Sequence, residues 1–336
     1  MNLKDLPKIE LHRHLDCSMR FSTMLELLNI DTSSASVKLI TLKKKYLIES
    51  PHKNLAEVII KFKVAQELLK GKSILKRLAF ECIEDAYYDG IKIIELRYSP
   101  DYIKEVNPEL SFLEIHEALL EGALLGQAKY KIAFGFIIII QRTLTVERAQ
   151  QTMNFALFKN IKIIGVDLAD VEDFPALPFL KLFEKASEEN LSITIHAGEV
   201  PTQKSIENIK EAILQFNVRR IGHGIQSIKS PEICNLIIDK KIPLEICPSS
   251  NVLTQGVKTI SDHPVKKLWD MGVPITLNTD DPGIFNINLT HEYELVQKIF
   301  QFTENDFIKM NKIAFENSFI PKVELQNFNT TFILNT

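Results

Sequence analysis

The chain has 336 residues, 45% of them hydrophobic, and a formal net charge of −3. That is enough apolar material for two ordinary domains or one barrel-sized domain. Lys and Arg are interspersed with acids instead of forming a basic stripe, which argues against a nucleic-acid partner, and no run approaches the roughly 18 apolar residues of a membrane span.

Four cysteines, Cys17, Cys82, Cys234 and Cys247, lie far apart without a CxxC spacing, so neither a zinc knuckle nor a disulfide framework is expected. The segment Met1 to Lys8 lacks the apolar core of an export signal. A reducing, cytoplasmic setting fits both observations.

Taken in chain order, short aliphatic or β-branched runs predict strands at 8–14, 92–98, 132–140, 162–168, 192–197, 219–224, 243–247 and 274–279. Helical spacing of apolar residues separates them, as in Leu55-Val58-Ile59-Phe62, Leu177-Leu180-Phe183, Ile206-Ile209-Ile213 and Val265-Leu268. Strands joined by crossover helices must be parallel, and eight can close into a (β/α)8 TIM-type barrel within one α/β domain over 1–336. The stretch from about 16 to 90 is too long for one βα unit and is read as a helical lid inserted after the first strand. An open doubly wound sheet is the rival, but no Gly-rich phosphate turn follows an early strand.

Three of these strands end in metal-binding or acid/base side chains: Ile9 to Asp16, Thr194 to Glu199 and Leu277 to Pro282. In a strand the side chains alternate, so His12 and His14 share a face while Arg13 points the other way. With His196 and Asp280 they make a nitrogen and oxygen donor set suited to one zinc ion per chain or a similar divalent metal. Glu199 and His223 lie beside that set for proton transfer. Barrel chemistry gathers at the C-terminal ends of the strands, where all these residues fall.

The ordered series HRHLD at 12–16, LRYSP at 96–100, DLA at 167–169, HAGE at 196–199, IGHG at 221–224, CPSSN at 247–251, HP at 263–264 and NTDDP at 278–282 resembles the adenosine deaminase family, a branch of the metal-dependent amidohydrolase-like barrels. The resemblance spans nearly the whole chain. It implies that His12, His14, His196 and Asp280 bind a catalytic zinc, that the insertion carries part of an apolar lid, and that Glu199, His223 and Asp281 have roles in the reaction. The implied activity is hydrolytic deamination of a 6-aminopurine nucleoside, adenosine or a 5′-modified adenosine, to the 6-oxo product and ammonia.

That chemistry gives each residue a task. Bulk water, with a pKa near 15.7, is a poor nucleophile, and a bound divalent metal lowers that value to about 7. Asp280 can bind the ion and accept a hydrogen bond from the water, and His223 can orient the attacking oxygen. N1 of the ring must gain a proton as C6 is attacked, and Glu199, three residues beyond His196, is the expected donor if burial raises its pKa. Candidate substrate contacts are His14 itself, Asp16 on a ribose hydroxyl, Asp281 on a ring nitrogen such as N7, and Asp170. The bland alternatives are a helix cap for Asp16 and a clamp on the metal ligands for Asp281.

Two positions depart from the family pattern. Cys17 stands where the family usually has Gly, and Asp170 follows Asp167-Leu168-Ala169 where a glycine is typical. A carboxylate near the sugar suggests that Asp170 binds a ribose hydroxyl and selects or tolerates a substrate altered at the 5′ position. Aminodeoxyfutalosine deamination, a step of menaquinone biosynthesis, and adenine deamination are the enzymatic alternatives. A two-metal amidohydrolase would need a bridging lysine at a mid-barrel strand end, and none is evident; a cytidine-type zinc deaminase would need HxE with PCxxC. A catalytically silent barrel acting as a binding protein would have lost Glu199 or a ligand, and both are intact.

The remaining histidines and charges have ordinary expectations. Arg13 is expected to pair with the helical layer, His263 to fix a turn before Pro264, and His52 and His116 to have no part in chemistry. His291-Glu292 begins like HExxH but lacks the second His.

Overall fold

The computed structural model describes residues 3–30, 37–52, 55–158, 162–325 and 328. Eight strands form one all-parallel sheet in sequential order: β1 (Lys8–His14), β2 (Ile91–Tyr98), β3 (Ala133–Gln141), β4 (Ile163–Ala169), β5 (Ser192–Ala197), β6 (Arg220–His223), β7 (Leu244–Ile246) and β8 (Ile275–Leu277). Every predicted strand is present, with its ends within two residues of those expected. The sheet closes on itself where His14 N–H donates to Asp280 O at 2.8 Å and Asp280 N–H to His12 O at 3.0 Å. The Asn278 side chain helps, accepting from Leu11 N–H at 2.9 Å. This is the (β/α)8 barrel expected of the strand and helix alternation.

Strands covered on both faces read as continuous apolar runs, and β3, Ala-Phe-Gly-Phe-Ile-Ile-Ile-Ile-Gln, is buried throughout. Phe134, Phe136, Ile138 and Ile140 pack in the main apolar cluster with helix residues such as Ile115 and Leu119. Each contributes roughly 1.5–3 kcal/mol by leaving water.

The barrel interior is layered. Ile9, Leu11, Ile93 and Ala133 meet Ala314 and Ile320 in a separate apolar cluster near the floor. Above it, the interior holds buried charges, Glu95, Arg97, Asp167, Arg220 and Glu245, where a branched aliphatic layer is more usual. Each charge is paired, since breaking one buried pair costs about 3–5 kcal/mol. Arg220 contacts Glu95 Oε2 at 2.7 Å and Glu245 Oε1 at 2.5 Å, and Arg97 contacts Glu245 Oε2 at 2.8 Å and Asp167 Oδ2 at 2.7 Å.

In β1 the pairing register shifts between Glu10 and Arg13. These two residues, three apart, form an ion pair at 2.7 Å, which simple alternation forbids. The expected partner of Arg13 in the helical layer is therefore replaced by Glu10 on its own strand, and from that layer Cys82 Sγ approaches at 3.9 Å.

Between β1 and β2 lie a short turn at Leu15–Cys17 and helices Phe21–Leu27, Val37–Tyr46, Leu55–Gln66 and Lys72–Tyr88. In Leu55–Gln66 the residues Ile59, Phe62 and Gln66 follow i, i+3, i+7 spacing and present one face to the barrel mouth. The last helix, Lys72–Tyr88, packs in the outer layer against Phe112–Tyr130. Among the described residues no helix is long and apolar enough to cross a membrane.

Candidate active site

The site is built at the C-terminal ends of β1, β5, β6 and β8, with a pocket opening above them. His12 Nε2 and His14 Nε2 lie 3.0 and 3.1 Å from Asp280 Oδ1, and His14 Nε2 lies 3.4 Å from His196 Nε2. His12, His196, His223 and Asp280 each offer a donor atom within 4.8 Å of the others, and His14, Asp280 and Asp281 form a second such group. His12 Nε2 and Asp280 Oδ1 are buried without a hydrogen-bond partner. Buried polar atoms are normally satisfied, so converging lone pairs of this kind fit a cation. Asp280 is shared by both groups, but it is His223, not the expected His14, that joins His12 and His196 in the group of four.

The imidazoles are turned by carboxylates behind them. His12 Nδ1 lies 2.8 Å from Glu245 Oε2, and His196 Nδ1 lies 2.9 Å from Asp167 Oδ2. Each ring therefore donates Nδ1–H backwards and presents its Nε2 lone pair forwards, which is the tautomer a metal needs. Burial pushes the His196 pKa down to about 3, keeping the ring neutral. Asp280 is buried too, but the imidazoles of His12 and His14 facing it outweigh that and hold its carboxyl well below the usual range. Ser250 Oγ donates to its other oxygen at 2.7 Å.

Backbone conformation gathers here as well. His223 (φ 61°), Asp280 (φ 66°) and Asp170 (φ 88°) are all left-handed, a conformation costing about 1–3 kcal/mol for a non-glycine residue. Gly198 (φ 79°) turns the chain between His196 and Glu199, and a Cβ there would lie 2.3 Å from Ile209 Cδ1. The backbone N–H groups of Gly198 and Glu199 donate to Glu172 at 3.0 and 2.7 Å. That buried carboxylate fixes the turn from which the Glu199 side chain projects.

Glu199 is 4% exposed. Burial first, then the nearby charges of Asp280 and Glu172, push its pKa up to about 8, so at neutral pH it carries a proton. Its Oε2 lies 3.6 Å from His223 Nε2, which is 3.9 Å from Asp280 Oδ2. Both gaps exceed a direct hydrogen bond and match the spacing of groups that share an intervening oxygen. Burial and the charge of Asp280 also raise the pKa of Asp281, whose Oδ1 is buried and unpartnered.

Asp16 does not cap the following helix. It sits inside the Leu15–Cys17 turn, where Oδ2 accepts from Ser99 N–H at 3.2 Å and Gln66 Nε2 at 3.3 Å, while Oδ1 is buried and unpartnered. Asp170 lines the same cavity. Its Oδ2 accepts from Tyr102 at 3.1 Å and Thr143 at 2.5 Å, and its Oδ1 from Val171 N–H at 2.8 Å. Cys17, also lining the cavity, is buried.

Elsewhere, His263 does fix a turn, accepting from Val265 N–H at 3.1 Å. His116 is buried against Tyr98, whose hydroxyl lies 2.9 Å from its Nδ1. Glu292 holds Ser249 N–H at 2.9 Å. Sequence reasoning passed over Glu245, Arg97, Glu172 and Asn251, and gave Asp167 no task. A signal existed for three of these residues: Arg97, Asp167 and Glu245 are charges set inside otherwise apolar strand runs.

A family model described as adenosine deaminase matches residues 7–330. An adenosine deaminase of Clostridium acetobutylicum is 37% identical over 310 residues, covering 90% of this chain and 91% of that one. One from Plasmodium falciparum is 34% identical over 322 residues, covering 94% and 86%. Among solved structures, Arabidopsis ADAL complexed with GMP superposes with a TM-score of 0.84 at 28% identity, covering 99% and 98%. The chain belongs to the adenosine deaminase family and is a hydrolytic purine deaminase acting on a C–N bond.

Proposed function

We propose that the protein converts a 6-aminopurine nucleoside, adenosine or a 5′-modified adenosine, to its 6-oxo product and ammonia, using one zinc ion held by His12, His14, His196 and Asp280. What carries the reading is the unpartnered Nε2 and carboxylate atoms converging beside Glu199, a carboxyl that burial keeps protonated. Three imidazoles and one carboxylate suit zinc, and a divalent ion bound there would supply an ionised water at neutral pH.

This chain's own residues do the rest. Asp280 and His223 hold the attacking oxygen in the space between them and Glu199. As that oxygen bonds to C6, Glu199 delivers its proton to N1, where electron density from the broken aromatic system accumulates. Asp281, protonated, donates to a ring nitrogen such as N7. The proton on the attacking oxygen then passes by way of Asp280 to the amino group, the C6–N bond breaks, and ammonia leaves as the C6 oxygen becomes the oxo group.

The cavity lining supports a nucleoside over a nucleotide. Asp16, Asp170, Glu199, Asp280 and Asp281 border it, and none of the described lining residues is Lys or Arg, so a 5′-phosphate would meet several acids and no Lys or Arg to pair with. A nucleoside is favoured over free adenine because the unpartnered Asp16 oxygen needs a hydroxyl donor that the base lacks. Asp170 has spent three of about four acceptor positions on Tyr102, Thr143 and Val171, leaving one for a ribose hydroxyl. The insertion between β1 and β2 closes the apolar side of the pocket through Ile59 and Phe62 as a lid.

The test is ultraviolet-monitored turnover by the zinc-loaded protein across adenosine, 5′-methylthioadenosine, aminodeoxyfutalosine, AMP and adenine. Nucleosides are expected to exceed AMP and adenine by at least tenfold in kcat/KM. Preference for either of those two would overturn the substrate assignment.

A further inference from the structure

His223 reaches the reacting space only through its Nε2, so its usefulness depends on which ring nitrogen holds the proton. The structure contains a chain of contacts that decides this, starting from a group that cannot change its role. Val265 N–H, a backbone donor, points at His263 Nδ1 at 3.1 Å. Nδ1 must accept, so the neutral ring of His263 carries its proton on Nε2.

His263 Nε2 lies 3.1 Å from Asn251, and a donor there requires the amide oxygen on that side. The amide nitrogen of Asn251 then faces His223 Nδ1 at 3.0 Å and donates to it. His223 Nδ1 accepts in turn, which leaves the proton on Nε2, facing Glu199 Oε2 at 3.6 Å and Asp280 Oδ2 at 3.9 Å. Asn251 is fully buried and His263 and His223 nearly so, so water does not compete for these contacts. Burial also holds the His263 pKa down to about 3, which keeps its Nδ1 lone pair available.

We propose that His263, acting through Asn251, is a positioning residue that locks His223 in the tautomer with its proton on Nε2, so that His223 donates to the attacking oxygen instead of accepting from it. The relay runs from the turn before helix Val265–Asp270, through helix Pro248–Leu253, to the end of β6. It rests on the functional reading above only in the identity of that oxygen. The tautomer itself stands on the contacts alone. Asn251 works as an adaptor: its amide accepts on one edge and donates on the other, so it passes on the polarity set by a backbone N–H.

The test is long-range 1H–15N correlation spectroscopy of the histidine rings in the zinc-loaded protein and in the same protein stripped by chelator. Wild type is expected to show His223 Nδ1 unprotonated and Nε2 protonated in both forms. Asn251→Asp, which can only accept, is expected to move the proton to Nδ1. His263→Leu removes the donor and is expected to leave a mixture, whereas His263→Gln, with an amide N–H in its place, is expected to restore the wild-type pattern.

Turnover provides an independent measure. Asn251→Asp and His263→Leu are expected to lower kcat by about 10- to 100-fold with zinc content and KM close to wild type, and His263→Gln to recover most of that loss. Wild-type protein with the proton on His223 Nδ1 would overturn the proposal even if no variant folds. So would equal loss in His263→Leu and His263→Gln, the mark of packing alone. Failure of the substrate assignment would instead appear in the nucleoside panel and leave the ring spectra unchanged.

Discussion

Glu245 Oε2 accepts from His12 Nδ1 at 2.8 Å, deep inside the barrel and out of reach of solvent. The same carboxylate neutralises Arg97 and Arg220 at 2.8 and 2.5 Å. Glu245→Gln keeps the shape and removes the charge, so it is expected to weaken zinc binding about 10- to 100-fold. It also leaves two buried guanidinium groups undercompensated, with a stability loss of about 3–5 kcal/mol. Competition against a chromophoric chelator and a thermal melt measure the two effects; unchanged zinc affinity would show that the carboxylate does not tune His12.

Glu199→Gln is expected to lower kcat by about 10²- to 10⁴-fold while zinc content stays the same. The raised pKa of Glu199 sets the alkaline side of the pH profile. The proton donor is populated below about pH 8 and lost above it, so kcat/KM falls as pH rises through that value. Stability has a matching sign. Between the ordinary 4.5 and about 8 the folded protein holds a proton that the unfolded chain releases, so this group's contribution is full below pH 4.5 and shrinks up to about pH 8. The Gln variant is expected to flatten that slope in melts across the window, and a variant that turns over normally rules out Glu199 as donor.

Asp16→Ala removes the unpartnered oxygen at the mouth. A hydrogen bond to a charged group is worth about 1.5–3 kcal/mol, so kcat/KM for adenosine is expected to fall by roughly 10- to 150-fold. Free adenine has no ribose hydroxyl and is expected to be unaffected. An equal loss on both substrates would mean that Asp16 serves only the fold.

Asp170→Gly sets two terms against each other. Relief of the φ of 88° returns about 1–3 kcal/mol, and loss of three hydrogen bonds withdraws about 0.5–1.5 kcal/mol each. Stability is therefore expected to stay near wild type, so a change in turnover reports the pocket. The ratio of 5′-methylthioadenosine to adenosine turnover is expected to shift. If adenosine is preferred throughout and the variant changes nothing, Asp170 does not read the sugar.

Removal of zinc by a chelator is expected to abolish turnover and lower the melting temperature, because an ion that binds only the folded state stabilises it in proportion to the logarithm of its concentration. Re-addition of zinc restores both. A melting temperature indifferent to chelation would count against the proposed ligand set.

Much of the site was legible because the chemistry sits on local pattern. His12 and His14 are two apart, Glu199 is three beyond His196, and Asp280 and Asp281 close an apolar run before Pro282. The supporting shell was not, because its contacts join strands far apart in the chain: Arg97 to Asp167 and Glu245, or Glu172 to the Gly198 turn. Arg13 was misjudged for a related reason. Strict alternation points it at the outer helices, but the irregularity in β1 puts Glu10 on its side, and nothing local in Ile9 to His14 marks that shift.

The paired charges below the His12, His196 and Asp280 side chains continue to the far end of the molecule. Arg220 donates to Asn317 O at 2.8 Å and stacks on Phe319, with 3.5 Å from the guanidinium carbon to the ring centre, while Glu95 accepts from the Ser318 hydroxyl at 2.7 Å and from Phe319 N–H at 2.5 Å. The tail that plugs the bottom of the barrel is thus wired, charge by charge, to the imidazole of His12. Loss of the Ser318 hydroxyl or the Phe319 ring, remote from any substrate, is expected to reach the imidazole of His12 through Glu95, Arg220 and Glu245.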